Sequence, residues 1–188
     1  MKRILGILAV VVFVFAAVAG ALLLAGKNPA VTARLLVDGA FGSAGALSGT
    51  LQEALPLLIA GIAAFVALRA GLFNIGVDGQ LTVGALAATV VALRVTGPAG
   101  IGLAALTGMV AGALWAAPAG LIRAYRGGSE VISTIMLNNI ALFGTNALVA
   151  HAFRDPNAAS PTTAAITSKL PLIMVGGVEV SSAVIVGL

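Results

Sequence analysis

The stretch GLFNIGVDGQLTVGALAA, residues 71–88, sets Asn74, Asp78 and Gln80 and the glycines Gly71, Gly76 and Gly79 between two apolar runs. In a soluble domain this would be an ordinary polar turn. Here 60% of the residues are hydrophobic, only 9% are charged and the mean hydropathy is +1.14. A typical soluble domain is about 25% charged. So little polar surface cannot cover a water-soluble globule, and the composition points to an integral membrane protein; with the apolar runs below, the expected fold is an all-α, polytopic transmembrane helical bundle. The 24 glycines suit helices that pack closely in lipid. With no cysteine there is no disulfide framework, thiol chemistry or Cys-ligated metal. The net charge of +4 comes from singly scattered basic residues, the pattern of membrane flanks and not of a nucleic-acid surface.

Two readings of the stretch follow. In the first it is a well-capped joint: Asp78 caps the next helix, the glycines permit sharp turns, and Asn74 and Gln80 satisfy backbone groups freed by the break. In the second it is a broken helix lining a polar path. Non-helical backbone at membrane depth is tolerated only inside protein or facing a water-filled cavity, and transporters place substrate groups at such breaks.

Working outward, the spans are expected at about 4–26, 53–70, 79–96, 101–122, 131–150 and 172–188, all in one transmembrane domain. Ile4–Gly26 is free of charge and follows Lys2-Arg3. It is too long for a typical signal-peptide core, although Ala17-Val18-Ala19 resembles a cleavage site. Residues 27–52 read as a loop whose middle lies along the interface or forms a short helix. Pro56 is expected in the first turn of the second span, where a missing N–H does no harm. GPAG at 97–100 reads as a tight turn, and Pro118 should kink or end the fourth span. Gly108 and Gly112 share a helix face and suit an intramolecular helix contact. No internal repeat is evident. Basic flanks do not fix the orientation: Lys2, Arg3, Arg69, Arg123 and Arg126 fall on one side, and Lys27, Arg34, Arg94, Arg154 and Lys169 on the other.

A second distinctive stretch is GGSEVISTIMLNN, residues 127–139. Ser129 is a good N-cap and Glu130 suits the first helical turn. Val131, Ile132, Ile135 and Met136 form an apolar face, and Asn138 and Asn139 follow. The segment is either a capped helix start or a surface helix that docks another protein, with Glu130 exposed beside Arg126. Other chemistries are poorly supplied. ALLLAGKN, residues 21–28, lacks the first glycine and the hydroxyl residue of a P-loop, so no nucleotide site is expected. Intramembrane serine proteolysis would need Ser43 or Ser48 beside His151, the only histidine. A purely structural assembly role is the other alternative. One His and six scattered acids do not make a metal site.

Together, GLFNIGVDGQLTVGA and GGSEVISTIMLNNIA resemble the permease subunits of bacterial ABC importers. The likeness is to the nucleoside and simple-sugar branch of the group that includes branched-chain amino acid and ribose permeases. It covers residues 50–150 well, with Asp78 where the usual pattern has Glu and Ser129 where it has Asn. The resemblance implies a multi-pass protein of the bacterial inner membrane with a cytoplasmic N-terminus. Residues 27–52 and 152–171 would then lie outside and 123–130 in the cytoplasm. It implies a substrate pathway at Asn74, Asp78, Gln80, Asn138 and Asn139, with Asn146 a further candidate, and ATPase coupling through Ser129, Glu130, Val131, Ile132 and Ile135. The implied partners are a cytoplasmic ABC ATPase that binds ATP-Mg, a second permease subunit, an extracytoplasmic substrate-binding protein and the lipid bilayer. No cofactor belongs to the permease itself. Such permeases run to about twice this length, so the 188 residues would stop inside the sixth span.

Overall fold

The computed structural model describes residues 2–167, 170–175 and 178–181. The described residues form six helices: α1 (Lys2–Leu24), α2 (Pro29–Phe41), α3 (Ala44–Arg69), α4 (Val77–Ala92), α5 (Gly97–Arg126) and α6 (Glu130–His151). Two short strands, β1 (Leu172–Val175) and β2 (Val178–Ser181), form a two-stranded sheet. Among the described residues, four helices are long and apolar enough to cross a membrane: α1 from Ile4, α3, α5 and α6. At 16 residues, α4 is about 24 Å long, short of the roughly 30 Å hydrocarbon core.

The chain forms two compact units. The first runs through Glu53 and includes Ile173–Val180; the second runs from Ala54 to Leu172. In the first unit, Asn28 caps α2 by accepting from the N–H groups of Ala30 (2.9 Å) and Val31 (3.4 Å), and Pro29 occupies the first helical position. The Asn-Pro pair thus starts the short helix that was one of the two expectations for the middle of 27–52. Ser43 Oγ accepts from Ala46 N–H (3.0 Å), so α3 starts nine residues before the expected boundary. Pro56 consequently lies at the thirteenth position of α3 and not in its first turn. There it denies the Gln52 carbonyl its usual i+4 donor. Residues 172–175 and 178–181 are strands where the start of a sixth membrane helix was expected. The runs LIMV and VEVS flank Gly176-Gly177, a sequence signal for paired strands. The rest of the expected sixth span lies outside the described residues.

In the second unit α4, α5 and α6 pack against one another. Three further boundaries differ from expectation. GPAG at 97–100 is the first turn of α5. Pro118 does not end α5, which runs eight residues beyond it through Arg123 and Arg126. Gly127 then closes α5 at φ +60°, with its N–H on the Arg123 carbonyl. Asp78 is the second residue of α4, exposed, and Gly76 holds the N-cap position. An acid in the first turn still complements the helix dipole.

The interior consists of small side chains. The buried apolar residues among those described are Ala92, Ala104, Ala119 and Ala141, with Thr134 and Thr145 among the buried polar ones. Both threonines satisfy their hydroxyls on carbonyls of their own helix. Large residues such as Leu57, Leu114 and Phe143 are exposed. Apolar bulk turned outward over an alanine and glycine interior is the arrangement of helices solvated by lipid. Backbones touch directly where α4 crosses α5. A Cβ on Gly84 would lie 2.8 Å from the Gly108 carbonyl oxygen, and one on Gly112 would lie 3.1 Å from that of Gln80. The expected contact through Gly108 and Gly112 is therefore intramolecular.

Candidate functional site

The break between α3 and α4 is built mainly from backbone. Gly71 adopts φ +75°, which only glycine takes without strain. It closes α3 with two reversed hydrogen bonds, Gly71 N–H to the Leu68 carbonyl (3.0 Å) and Leu72 N–H to that of Ala67 (2.9 Å). Asn74 Oδ1 then accepts from Gly76 N–H (2.8 Å) and from Gln80 Nε2 (3.3 Å). This Asx turn aims the chain into α4. The glycines at 76 and 79 serve close approach to α6. A Cβ on Gly76 would lie 3.1 Å from Thr134 Cβ, and one on Gly79 would lie 2.7 Å from Asn138 Oδ1.

The two sequence motifs meet at this break. Asn138 on α6 accepts from Gly79 N–H through Oδ1 (2.9 Å) and donates through Nδ2 to the Ile75 carbonyl (2.9 Å). Two backbone groups freed by the break are thereby paired across the helix interface. One turn before Thr134, Glu130 Oε1 accepts from Phe73 N–H and Oε2 pairs with Arg123 Nη1 on α5. Arg123 Nη2 also lies 3.5 Å from the Gly71 carbonyl oxygen. Ser129 caps α6 through Ile132 N–H (3.4 Å), as its position in the sequence predicts. A cavity of about 490 Å³ opens at this level, bounded by Phe73 and Asn74 of the break, Gln80 of α4, Gly120 and Arg123 of α5, and Glu130 and Thr134 of α6.

The candidate residues sort accordingly. Asn74, Gln80, Asn138 and Glu130 gather at one joint; Ser129 is exposed and caps α6, and Val131 is half-buried. Asp78 is exposed, and only its backbone carbonyl is engaged, by Thr82 Oγ1 (2.8 Å). Asn139 is exposed and bonds the Ile135 carbonyl of its own helix (2.9 Å); Asn146 is exposed farther along α6. Glu130 does not project beside Arg126. Its side chain is 13% exposed because Phe73 N–H and Arg123 turn it inward. Ile132 and Met136, each 61% exposed, and Ile135 face outward. Arg123, expected only as a basic flank, and Thr134, not among the expected site residues, also line this joint. Glu130, Thr134, Asn138, Ala141 and Thr145 recur every three or four residues, and that stripe is the signal for the face that meets the break.

The proteolytic alternative finds its serines in other roles. Ser43 Oγ caps α3, and buried Ser48 accepts from Gln52 Nε2 (3.1 Å). Chemically, the joint between α4, α5 and α6 uses its polar groups to hold backbone.

Residues 46–187 match the family described as branched-chain amino acid transport system, permease component. The chain is 41% identical over 141 residues to the guanosine ABC transporter permease protein NupP of Bacillus subtilis, an alignment covering 73% of this chain and 40% of the relative. It is 36% identical over 156 residues to the nucleoside ABC transporter permease protein NupB of Lactococcus lactis, covering 81% and 43%. It is 44% identical over 97 residues to the glucose ABC transporter permease protein TsgB13 of Haloferax volcanii, covering 50% and 26%. The chain thus spans less than half the length of these curated relatives. No solved structure matches it.

Proposed function

Because the chain belongs to the branched-chain amino acid transport permease family, as the match over residues 46–187 shows, we propose that it is part of the membrane permease subunit of an ATP-binding-cassette importer. Its solutes are nucleosides or related small sugars, the classes named for the relatives. ATP-Mg is bound and hydrolysed by a separate cytoplasmic ATPase, and a second permease subunit and an extracytoplasmic binding protein complete the importer. The protein lies in the inner membrane with its N-terminus and residues 127–129 in the cytoplasm.

The observation that carries this reading is the division of labour on the first turns of α6. Glu130 and Asn138 bond the backbone of the break, whereas Ile132, Ile135 and Met136 face away from it. A helix offering an apolar outer face suits a groove on a partner, and its inner face carries any displacement to the break. The full-length permease bearing Ile132→Asp and Met136→Asp should insert and fold normally but bind its ATPase at least about tenfold more weakly, since lost hot-spot contacts typically cost about 2 kcal/mol or more. Titration of the ATPase onto permease in nanodiscs checks this, and unchanged affinity would remove the docking role. Uptake of radiolabelled guanosine into proteoliposomes, in competition with glucose, tests the solute class.

A further inference from the structure

A basic residue in the last turn of a membrane helix needs no partner, since the helix dipole and the aqueous boundary both accommodate it. Arg123 nevertheless has partners on two other segments. Its guanidinium pairs with Glu130 at the start of α6 and reaches the Gly71 carbonyl oxygen in the break at 3.5 Å. The second carboxylate oxygen of Glu130 accepts from Phe73 N–H, which closes a loop of contacts through α5, α6 and residues 71–73. Planar, forked guanidinium is suited to holding two acceptors at once. Two turns along α6, Asn138 attaches the same helix to Ile75 and Gly79. The first turns of α6 are thus fixed to the break at two separated points. One point would leave a pivot; two confine rotation to the line that joins them.

We propose that Arg123 is a positioning residue of the transport cycle: by holding Glu130 onto residues 71–73, it makes the first turn of α6 and the break move as one body. The inference rests on the coupling role proposed above for α6. Displacement delivered to Ile132 by an ATPase reaches the break undiminished only while this attachment holds. Without Arg123, the carboxylate of Glu130 loses its counter-charge and α6 can shift relative to residues 71–73.

The test uses the full-length permease assembled with its ATPase in liposomes and reads two quantities: ATPase affinity, and solute taken up per ATP hydrolysed. R123Q is expected to bind the ATPase with unchanged affinity and to lower uptake per ATP by about fivefold or more, the range of typical coupling between sites. R123K keeps the charge facing Glu130 but lacks the forked reach to Gly71, and its ratio should fall between wild type and R123Q. An unchanged ratio in R123Q overturns the proposal, as does weakened ATPase binding, which would make Arg123 part of the docking surface. If R123Q does not fold, R123K decides alone: a lowered ratio supports the linkage and an unchanged one overturns it. Failure of the wild-type complex to bind an ATPase or take up solute is a different result, which removes the proposed function before any variant is made.

Discussion

Asn138 and Asn139 share a side chain and a neighbourhood, yet one bridges two helices and the other bonds only its own. Successive residues point about 100° apart around a helix, so one amide reaches Gly79 and Ile75 and the next faces away. Asn138→Leu should therefore leave the Gly79 N–H and the Ile75 carbonyl unpaired, at about 1–3 kcal/mol each. Asn139→Leu, at an exposed position, should change stability by no more than about 0.5 kcal/mol. Thermal unfolding of the full-length permease in detergent separates the two; equal midpoints would mean Asn138 does not hold the joint. Residue types were enough to nominate both asparagines from the sequence. Sorting them required the facing of α6, which the spacing of Glu130, Thr134, Asn138 and Ala141 encodes. The inward turn of Glu130 was not legible, because its backbone partner lies 57 residues away and a backbone N–H leaves no mark in the sequence.

At the scale of elements, the α4–α5 crossing rests on bare backbone. A side chain at Gly84 must displace the Gly108 carbonyl, which is backbone and cannot swing aside as a rotamer can. Gly84→Val is thus expected to destabilise by about 1–3 kcal/mol or more, the usual cost of overpacking. Gly102→Val, on the same helix pair but with nothing within 4 Å of its Cβ, should be neutral or slightly stabilising, since valine is a better helix former than glycine. Yields of folded protein by size-exclusion chromatography compare the two, and equal yields would show that the crossing is not close. The sequence made the pair Gly108 and Gly112 legible by its spacing, but not Gly84, whose partner is on another helix. Helix ends were harder. GSAGALSG, residues 42–49, has the small, polar composition of a loop, yet Ser43 caps a helix there. Pro118 lies within a helix that neighbours support on both sides of it, and tertiary packing overrides the local breaker.

For the molecule as a whole, charge counts were balanced and left the topology open, whereas the contacts of the second unit restrict it. The break at 70–76 and the link at 127–129 lie at one end of α5, joined through Glu130, and Thr96 lies at the other. Single cysteines at Leu72 and Ser129 should therefore react with an impermeant thiol reagent from one side of the membrane and a cysteine at Thr96 from the opposite side. In intact cells only the Thr96 position should label if the link is cytoplasmic; labelling of Thr96 and Ser129 from the same side would dismiss α5 as a crossing helix. The joint also has a history in time. Its residues leave the ribosome in two instalments: Ile75 is made 63 residues before the Asn138 side chain that pairs with it. At about 5–20 residues per second, the break waits roughly 3–13 s for its partners to be synthesised. Throughout that interval the Phe73 and Gly79 N–H groups must be sheltered by water or by the insertion machinery, so this region locks into its final form only after α6 has emerged.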